Sequence, residues 1–544
     1  MPSRSWSCCR VAAAIVALGL LASSASAQSI STFTGATSES WTTSGNWSPS
    51  GIPNGTSAWA QINSSTVATL RIFYASSSLS GTTLNVGAIS FLPTLNSAGS
   101  TFSIQNNGTT VGQIGTLKFY GVDTTVASQS RRYILVNSST FSNVQFTQTN
   151  AGQAFELNTS GAIYVAGNTT LSLSTQIREA GGARAITKAG PGTLAFGGSG
   201  NLSDTSNYTG GFTLEEGTVS IAASGGSTAS PFGTGTLTLR SGTIRSSGST
   251  SRSINTNVLL DGTVTLGSTV VGQTGGIDVN SASGTLSTTI QSDSVVSIAS
   301  ATTSWAQATS GAGGLTKSGA GVLRFSGVGG PLTHSGSTVV QEGTLIMNGN
   351  LSSLSALSVL SGATLFGTGT VAGATSILAG GTFSPGAASG TAGLISFGAG
   401  GLTLGGQTIL EISGTTRGVQ FDAVNLTGGL TYGGALSLVF SGTMPTGTYD
   451  LFSGFASQAG GFSSITLTGS YAGTLTEAAG VWTGSFGDQT LIFTNATGSL
   501  MVVPEPTAAA LVGLGVASAF GGFRVRKRRL TAGARDAQGS AHGA

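Results

Sequence analysis

Two stretches of this chain, ITKAGPGTLAF at residues 186–196 and LTKSGAGVLRF at residues 315–325, share the same order of threonine, lysine and glycine. Each is followed, after a loop of variable length, by a second related stretch: LEEGTV at residues 214–219 and VQEGTL at residues 340–345. Each unit therefore reads as a short strand, a glycine turn and a short strand, and the same arrangement returns after the loop. The chain contains a duplicated β-strand unit.

Side chains alternate within these strands. Leu194 and Phe196 share one face of the first unit, and Leu323 and Phe325 share the same face of the second, with Arg324 expected to point outward. Strands this short cannot make a buried sheet alone, but stacked turns can cover each other's apolar face. Glycine recurs because the corners need positive φ or close backbone approach. The pattern predicts turns of short strands stacked along one axis.

The two units resemble the autotransporter-associated β-strand repeat, whose pattern is roughly L-T-K-x-G-x-G-T-L, then Y-x-G-x-T, then x-x-G-T-L. The resemblance covers residues 185–222 and 314–349, and the second unit has His334 where the family usually has Tyr. It implies an all-β fold, a right-handed parallel β-solenoid (β-helix) passenger. At about 20–25 residues per turn, residues 28–503 would make roughly twenty turns. With turns ~4.8 Å apart, the rod would be about 100 Å long.

Composition excludes several classes of protein. Only 7% of the 544 residues are charged, against roughly 25% in an ordinary soluble domain, and 86 residues are glycine. The 21 basic residues are spread too thinly for a nucleic-acid interface, so no nucleic-acid partner is expected. The hydrophobic fraction of 39% is too high for a disordered polyelectrolyte, and glycine shows no three-residue period of the collagen type.

The first 27 residues read as a secretory signal peptide. Arginines precede a short apolar core at residues 11–22, and Ala25 and Ala27 form a small-x-small cleavage site, so the mature chain is expected to start at Gln28. Signal peptidase and the general secretion machinery are therefore expected partners. Both cysteines precede the apolar core, so the mature protein would have no disulfide.

A second signal is expected in residues 503–530. A four-residue motif precedes an uncharged stretch at residues 507–523, which is just long enough for one transmembrane helix. A basic cluster follows the stretch and should stay in the cytoplasm by the positive-inside rule. The motif is Val503, Pro504, Glu505 and Pro506, and the cluster is Arg524, Arg526, Lys527, Arg528 and Arg529.

This order of motif, helix and arginine-rich end resembles the PEP-CTERM sorting signal of Gram-negative bacteria. The resemblance implies transient anchoring in the inner membrane, recognition by an exosortase-type sorting enzyme, cleavage near the motif, and transfer to the cell surface or extracellular matrix. The chain continues for 15 residues past Arg529, which is longer than the usual pattern. The alternative is a plain single-pass C-terminal anchor.

The net charge depends on these ends. Eight of the 21 basic and two of the 18 acidic residues lie outside residues 28–503, which leaves 13 basic and 16 acidic residues between them. The formal charge of +3 for the whole chain therefore becomes −3 for the mature segment. The basic character belongs to the targeting signals and does not indicate a polyanion partner.

The resulting organisation has six segments. Residues 1–27 are the signal peptide; 28–180 an N-terminal cap with the first turns; 181–350 the repeats; 351–502 a C-terminal β-solenoid or β-rich segment; 503–530 the sorting signal; and 531–544 a disordered tail. Within the fourth segment, GGTFSPG at residues 380–386 and QFDAVNL at residues 420–426 are also typical of chains with these repeats.

Trp41 and Trp47 lie in a turn-rich N-terminal stretch and allow two interpretations. They could cap the open end of the solenoid, where strand edges would otherwise be unpaired. They could instead stack on sugar rings, because aromatic faces suit the apolar surface of a sugar. The first interpretation is preferred, and the second makes both residues candidates for glycan binding.

Candidate catalytic residues are few, and none is assigned. Glu215 and Glu216 are adjacent in a strand and should face opposite sides, so they cannot act as a pair. Glu216 and Glu342 are expected to be turn residues, while Lys188 and Lys317 recur in both units and should serve the coil. The aspartates are expected to form turns: Asp123, Asp261, Asp278 and Asp422.

His334 is the only histidine of the mature segment, and no cysteine remains there, so neither a zinc site nor a catalytic triad is predicted. Neither a P-loop nor a repeated calcium-binding nonapeptide is present, and no cofactor or metal is expected.

Three functions remain from different classes. The first is a secreted, exosortase-sorted structural or adhesin-like solenoid that is retained with extracellular polysaccharide and is not an enzyme. The second is a carbohydrate-binding surface protein that uses Trp41 and Trp47. The third, which rests on analogy of fold alone, is a polysaccharide-degrading β-helix enzyme.

Overall fold

The fold is all-β. The computed structural model describes residues 29–34, 41, 44–62, 69–72, 83–91, 100–106, 116–121, 132–136, 141–148, 154–197, 206–224, 230–280, 284–299, 302–352 and 354–505. These residues form 51 strands and one short 3₁₀ helix, Ser44–Asn46. Most strands have two to six residues and alternate buried and exposed positions, as the sequence pattern predicts.

The strands follow one another along the chain with few long interruptions. The first part of the chain contains β1 Ser29–Phe33, β2 Trp47–Ser48, β3 Ala58–Ile62, β4 Thr69–Ile72, β5 Thr83–Val86, β6 Ala88–Phe91, β7 Ser100–Asn106, β8 Thr116–Phe119, β9 Arg132–Val136, β10 Phe141–Gln148, β11 Ala154–Leu157, β12 Gly161–Val165, β13 Thr170–Leu173 and β14 Gln176–Glu179. The middle contains β15 Ile186–Ala189, β16 Thr193–Phe196, β17 Phe212–Leu214, β18 Thr218–Ile221, β19 Leu237–Ser246, β20 Arg252–Ile254, β21 Val258–Leu266, β22 Ile277–Val279, β23 Ser287–Ile290, β24 Ser294–Ile298, β25 Thr302–Trp305, β26 Ala308–Ser310, β27 Leu315–Ser318, β28 Val322–Phe325, β29 Thr338–Val340 and β30 Thr344–Met347. The last part contains β31 Asn350–Leu351, β32 Leu357–Val359, β33 Thr364–Gly367, β34 Thr370–Val371, β35 Thr375–Ile377, β36 Thr382–Pro385, β37 Leu394–Phe397, β38 Leu402–Leu404, β39 Gln407–Ile412, β40 Ala423–Leu426, β41 Gly429–Tyr432, β42 Ala435–Phe440, β43 Gly447–Asp450, β44 Phe452–Ser453, β45 Ser457–Gly460, β46 Ser464–Gly469, β47 Gly473–Thr474, β48 Thr476–Ala478, β49 Val481–Phe486, β50 Gln489–Thr494 and β51 Ser499–Pro504.

Consecutive strands run around three faces, and each strand pairs in parallel with its counterpart in the next turn. The first face contains β1, β3, β6, β9, β12, β15, β17, β19, β21, β23, β26, β31, β34, β37, β40 and β44, with Leu332 bridging β26 and β31. The second contains β4, β7, β10, β13, β16, β18, β19, β21, β24, β27, β29, β32, β35, β38, β41 and β45. The third contains β5, β8, β11 and β14, then β20, β22, β25, β28, β30, β33, β36, β39, β42 and β46. The long strands β19 and β21 each bend across the first two faces. The predicted parallel β-solenoid is confirmed.

The third face has 14 described strands and the first two faces have 16 each, so the described solenoid has about 14–16 turns and the expectation of roughly twenty turns is wrong. At ~4.8 Å per turn its length is about 65–75 Å rather than about 100 Å. One reason is that turns vary in length. Ile89 pairs with Ile134, an advance of 45 residues, whereas Leu345 pairs with Leu365, an advance of 20. Inserted loops lengthen a turn without lengthening the rod.

The core consists of side-chain stacks that run along the axis. One stack passes from Leu194 through Val219, Ile244 and Leu266 to Ile298. Each of these residues is paired with the next one in the following turn. All five side chains are buried. Because every turn covers the apolar face of the one before it, short strands gain a continuous core that none of them has alone.

The two duplicated units lie on different faces. β15 and β16 of the first unit belong to the first and second faces, whereas β27 and β28 of the second unit belong to the second and third. β27 therefore continues the stack of β16 rather than that of β15, through β18, β19, β21 and β24. The unit is rotated by one face between its two copies.

Trp41 and Trp47 are buried at the N-terminal end. The two rings meet edge to face with their centroids 4.9 Å apart, and Phe33 packs on Trp47 at 5.2 Å. Trp47 Nε1 donates a hydrogen bond of 2.8 Å to the Trp41 carbonyl. The exposed fractions of the two residues are 0% and 3%, so neither ring has a face open to a sugar in this structure. This packing favours the end-cap interpretation over glycan stacking for these two residues.

A separate antiparallel sheet closes the C-terminal end. Its strand order is β43–β51–β50–β49–β48, and the last strand of the third face, β46, lies before it with the short antiparallel β47. The sequence patterns did not separate this sheet from the solenoid within residues 351–502. The sequence feature that could have predicted this sheet is the FGDQ turn at residues 486–489, which joins β49 and β50 as a tight hairpin.

The predicted targeting segments lie only partly within the described residues. Ala25, Ala27 and Gln28 lie outside the described residues, as do Pro506, the expected transmembrane stretch and the basic cluster. Within the described part of the chain, no helix has the length and apolar character that a bilayer crossing requires.

Candidate functional site

Lys188 is the most unusual residue of the first unit because its side chain points into the solenoid. It lies in β15 between Ile163 and Leu214 of the neighbouring turns, in a slot otherwise filled by aliphatic residues. Its ammonium donates hydrogen bonds to the carbonyls of Ala189 at 3.0 Å and Gly190 at 2.6 Å. A third bond of 3.0 Å reaches the Glu216 carbonyl in the next turn. We call this arrangement the lysine clamp, because one side chain joins the glycine corners of two turns.

Lys317 repeats the clamp in the second unit. It lies in β27 between Val296 and Val340 and is likewise buried. Its ammonium donates to the Gly319 carbonyl of its own turn and, at 2.7 Å, to the Glu342 carbonyl of the next. The repeated lysines therefore serve the coil, as the sequence indicated, and the repeated glutamates contribute backbone carbonyls while the residues themselves stay exposed at the turns.

Glycines make room for the clamps. Gly217 has a φ of +78°, and a Cβ atom there would lie 2.4 Å from the Gly190 carbonyl oxygen and 2.9 Å from Lys188 Nζ. The counterpart Gly343 has a φ of +67°, and its Cβ would lie 2.5 Å from Lys317 Nζ. The glutamate–glycine–threonine sequence thus provides both an acceptor for the lysine and a corner without a side chain.

Burial lowers the pKa of Lys188 to about 7 and that of Lys317 to about 8, because the ammonium loses its hydration. The nearby Glu216 and Glu342 carboxylates act in the opposite direction. A lowered lysine pKa is also a mark of catalytic amines. Here the amine faces the core and its hydrogens go to backbone carbonyls, so the geometry explains the shift without a reaction.

His334 is held in the core of the second unit. Its Nδ1 and Nε2 atoms each hydrogen-bond a hydroxyl at 2.9 Å, those of Thr309 and Thr338. Burial lowers the pKa of His334 to about 4, so the ring is neutral at physiological pH. Tyr208 occupies the matching position of the first unit and donates to the Pro231 carbonyl at 3.2 Å. Both units place a polar ring inside the coil, and the ring of His334 has no free nitrogen to offer a substrate.

Two of the aspartates expected in turns lie in strands instead. Asp261 is within β21, and Arg240 contacts both it at 3.4 Å and Glu215 at 3.2 Å across three turns. Asp278 is within β22 and accepts a hydrogen bond of 2.8 Å from the Ser304 backbone. The turn assignment was wrong because these carboxylates bind neighbouring turns of the coil: Asp261 contacts Arg240 of the preceding turn, and Asp278 contacts Ser304 of the next. Asp123 lies outside the described residues.

Asp422 is also not a turn residue; it is buried, and its carboxyl is hydrogen-bonded to that of the half-buried Glu411. Asp422 accepts hydrogen bonds from the backbone of Gly393 at 2.6 Å and of Glu411 at 2.8 Å. Glu411 accepts from the Gly390 backbone at 2.9 Å and from Ser384 Oγ at 3.3 Å. The pair therefore fixes the long loop between β36 and β37.

Burial, together with the neighbouring Glu411 carboxyl, raises the pKa of Asp422 above its ordinary range. Two carboxyls in contact cannot both ionise at low cost, so the pair holds one proton. No sequence pattern indicated the pair, because its members are 11 residues apart and meet only through the fold-back of residues 412–421.

Glu411→Gln should stabilise the protein at alkaline pH. In the wild type, the folded state keeps a proton on this pair at pH values where the unfolded carboxyls have lost theirs. This contribution to stability is present below about pH 4 and declines as pH rises toward the raised pKa. The glutamine amide of the variant can donate to Asp422 and still accept from Gly390. We expect a gain of about 1–2 kcal/mol at pH 8 and little change at pH 4.

The measurement is denaturant unfolding of both proteins from pH 4 to 9. The difference in the free energy of unfolding between the two proteins reports on the Asp422–Glu411 pair, because His334 and the buried lysines titrate in both proteins. Equal pH slopes for wild type and variant would contradict the shared proton.

The predicted sorting motif begins inside the fold. Val503 and Pro504 complete β51, where Pro504 is the partner of Gln489 in β50. The Glu505 backbone donates a hydrogen bond of 2.8 Å to the Asp488 carbonyl. Three of the four motif residues thus lie at the C-terminal end of β51, an interior strand of the closing sheet, and Pro506 follows outside the described residues.

Comparison with known families matches residues 186–221 and 315–347 to the passenger-associated-transport-repeat. These ranges are the two units with lysine clamps, so the resemblance of residues 185–222 and 314–349 to autotransporter-associated β-strand repeats is confirmed. A search of curated proteins found no match. The chain is a passenger-like β-solenoid repeat protein, consistent with an exported, surface-type structural protein.

Proposed function

We propose that this protein is a secreted, non-enzymatic spacer or adhesin-like rod, sorted by an exosortase-type enzyme and retained with extracellular polysaccharide. The family repeats and the continuous core support a structural role. The polar surface of Ser and Thr, with few charges, suits contact with a hydrated neutral matrix. The side chains of His334, Lys188 and Lys317 carry groups of the kind that enzymes use in catalysis. All three side chains point into the core.

The observation that carries the sorting proposal is the position of the motif. β51 is the second strand of the closing sheet and pairs with both β43 and β50. A cut before Val503 would remove residues that pair with Thr490 and Gln489, whereas a cut after Glu505 would leave every described strand intact. Cleavage after Glu505 would therefore separate the proposed sorting signal from the folded rod without removing any residue of a described strand.

We expect the native protein to end just after Glu505 and to occur in the surface or matrix fraction. Mass spectrometry of the C-terminal peptide after cell fractionation measures this. Glu505→Ala should leave the terminus intact and keep the protein in the inner membrane. Asp488→Asn is the matched control, because it removes a neighbouring carboxylate while the 488 backbone carbonyl still accepts from residue 505.

Two results would contradict the proposal. An unprocessed wild-type terminus at Ala544 in the inner-membrane fraction would instead indicate a permanent single-pass anchor. Processing of Glu505→Ala at the wild-type level would show that the motif is not what the sorting enzyme reads.

A further inference from the structure

Among the described residues, the second face of the solenoid differs from the other two at its N-terminal end. On the first face, β2 pairs antiparallel with the outer edge of β1. On the third face, the outer edge of β5 is covered because the Asn85 N–H donates to Asn54 Oδ1 at 2.9 Å and the Asn85 carbonyl accepts from the Gly55 N–H at 2.8 Å. On the second face, β4 pairs with β7 and with no other described strand.

The C-terminal end shows the same difference. On the third face, β46 is covered by the antiparallel β47. On the first face, the Phe452 N–H of β44 donates a hydrogen bond of 3.0 Å to the Gly498 carbonyl. On the second face, β45 pairs with β41 and with no other described strand. The second face is thus a parallel sheet from β4 to β45 whose two outer edges have no described partner.

The outer edge of β45 is exposed. The Ala456 N–H donates to the Gly428 carbonyl at 3.0 Å, so the alternation of a parallel strand turns the backbone groups of Ser457 and Ala459 away from β41. Both of these residues are exposed. Their N–H and C=O groups can therefore pair with a further strand.

The closing sheet, at the same end, has edges that are protected by charge. Its edge strands are β43 and β48, and they carry the exposed carboxylates of Asp450 and Glu477. Charged side chains on an edge strand oppose pairing with another chain. β45 has the sequence Ser-Gln-Ala-Gly, with neither a charge nor a proline. It therefore lacks both the cover of the other two faces and the charge of the closing sheet.

The charges of the two ends indicate what pairs with β45. Residues 418–503 contain four acidic and no basic residues, and Asp450, Glu477 and Asp488 are exposed. Residues 28–135 contain four basic and two acidic residues, and Arg71 lies in β4 itself. Contact between two C-terminal ends would bring like charges together, whereas contact between a C-terminal and an N-terminal end would bring opposite charges together.

We propose that β45 of one copy pairs in parallel with β4 of a second copy, so that rods associate head to tail. Successive turns of the second face are parallel, so β4 of a second copy continues the sheet beyond β45 without reversing its direction. The contact is heterologous and leaves one free β4 and one free β45 on every assembly, so it extends into filaments. This inference goes beyond the proposed function, because it concerns contacts between rods rather than sorting or retention.

The register of this contact follows from the inward positions. The second residue of β45 is in register with buried Leu430, and the second residue of β4 belongs to the column of buried Phe146. Inward positions must align with inward positions, because a slip of one residue reverses every side chain. Aligning the two four-residue strands end to end places Ala459 opposite Arg71 of the second copy.

The test is sedimentation velocity of the purified full-length protein over a range of concentrations, in a mild detergent that disperses the apolar stretch at residues 507–523. The joint has only four residue pairs, so we expect weak association. Dimers, trimers and longer species should increase with concentration. Ala459→Lys places a cation opposite Arg71 and should weaken association at least tenfold.

Two further variants distinguish the joint from other causes. Ala478→Lys adds the same charge to the exposed edge strand β48 at the same end, and it should associate like the wild type. Adding Arg71→Glu to Ala459→Lys restores opposite charges across the joint and should recover at least half of the lost association. A substitution at the other end of the rod cannot repair a misfolded β45, so this recovery reports contact between copies. Thermal melting checks the fold of each variant.

Four outcomes would overturn the proposal. The wild type could sediment as one species at every concentration, or its association could stop at a dimer, which would indicate contact between like ends. Ala459→Lys could associate as the wild type does, which would place the contact elsewhere, for example in residues 507–523. The double variant could associate no better than Ala459→Lys alone, which would separate Arg71 from the joint.

Discussion

Gly343→Ala is expected to lower the free energy of unfolding by about 4 kcal/mol, a large effect for the addition of one methyl group. The new Cβ atom would lie 2.5 Å from both Lys317 Nζ and the Gly319 carbonyl oxygen and 2.7 Å from the Gly321 carbonyl oxygen. Such contacts cannot form without movement, so the clamp between the two turns must open. The positive φ adds about 1–2 kcal/mol for any residue with a side chain.

Gly362→Ala is the matched control, because Gly362 lies near the same corner one turn later. It has a φ of +80°, but a Cβ atom there would meet nothing within 4 Å. The control isolates the backbone cost and should lose only about 1–2 kcal/mol. Denaturant unfolding gives the total change, and hydrogen exchange shows whether the loss is local, since a solenoid can open turn by turn. Equal losses in the two variants would mean that the clamp contributes nothing.

Lys188→Met should destabilise the protein by about 3 kcal/mol although it replaces a buried charge with an apolar side chain of similar length. The substitution leaves the carbonyls of Ala189, Gly190 and Glu216 without their donor, and each unsatisfied buried acceptor costs about 1–3 kcal/mol. Relief from burying the ammonium offsets part of that loss. Lys118→Met is the control, since Lys118 is partly exposed and makes one ion pair with Glu156; it should lose less than about 1 kcal/mol.

The pH dependence gives an independent readout of the same clamp. The folded protein releases the proton of Lys188 near pH 7, whereas the unfolded chain keeps it to its ordinary value of 10.5. Between these values the unfolded state binds more protons, so the contribution of Lys188 to stability rises as pH rises. Lys188→Met should remove that rise and Lys118→Met should not. A variant that is as stable as the wild type, with the same slope above pH 7, would contradict a role for the ammonium.

The alternation of the strands predicted short stacked strands with Leu194 and Phe196 on one shared face, and the resemblance to the repeat family implied the parallel β-solenoid. The same alternation places Lys188 on the inward face with Ile186, and Lys317 with Leu315, so the burial of both lysines was present in the pattern. Charge alone argues against such burial, because a lysine is seldom buried unless its ammonium finds acceptors. Those acceptors are backbone carbonyls of the lysine's own corner and of the next turn, and the contact with the next turn is one that no sequence motif displays.

The remaining features depend on contacts between distant parts of the chain. The number of turns depends on how many residues each loop holds outside the coil, and loop residues carry no periodic signal. Asp422 and Glu411 meet through a fold-back, and the closing sheet pairs β43 with β51, the last described strand. Sequence patterns describe local periodicity, so they predicted the strands and the repeats but not the places where separate elements join.

The duplicated unit is shifted by one face between its two copies. The repeated module therefore does not correspond to one complete turn of the solenoid. A complete circuit uses three faces, yet the two copies are out of phase by a third of a circuit, and both build the same clamp at their corners. The module is therefore a corner element that operates at two of the three corners of the coil. A rod of this kind can gain or lose material in fractions of a circuit, and copies of one motif then present their loops in different directions around the axis instead of in a single row.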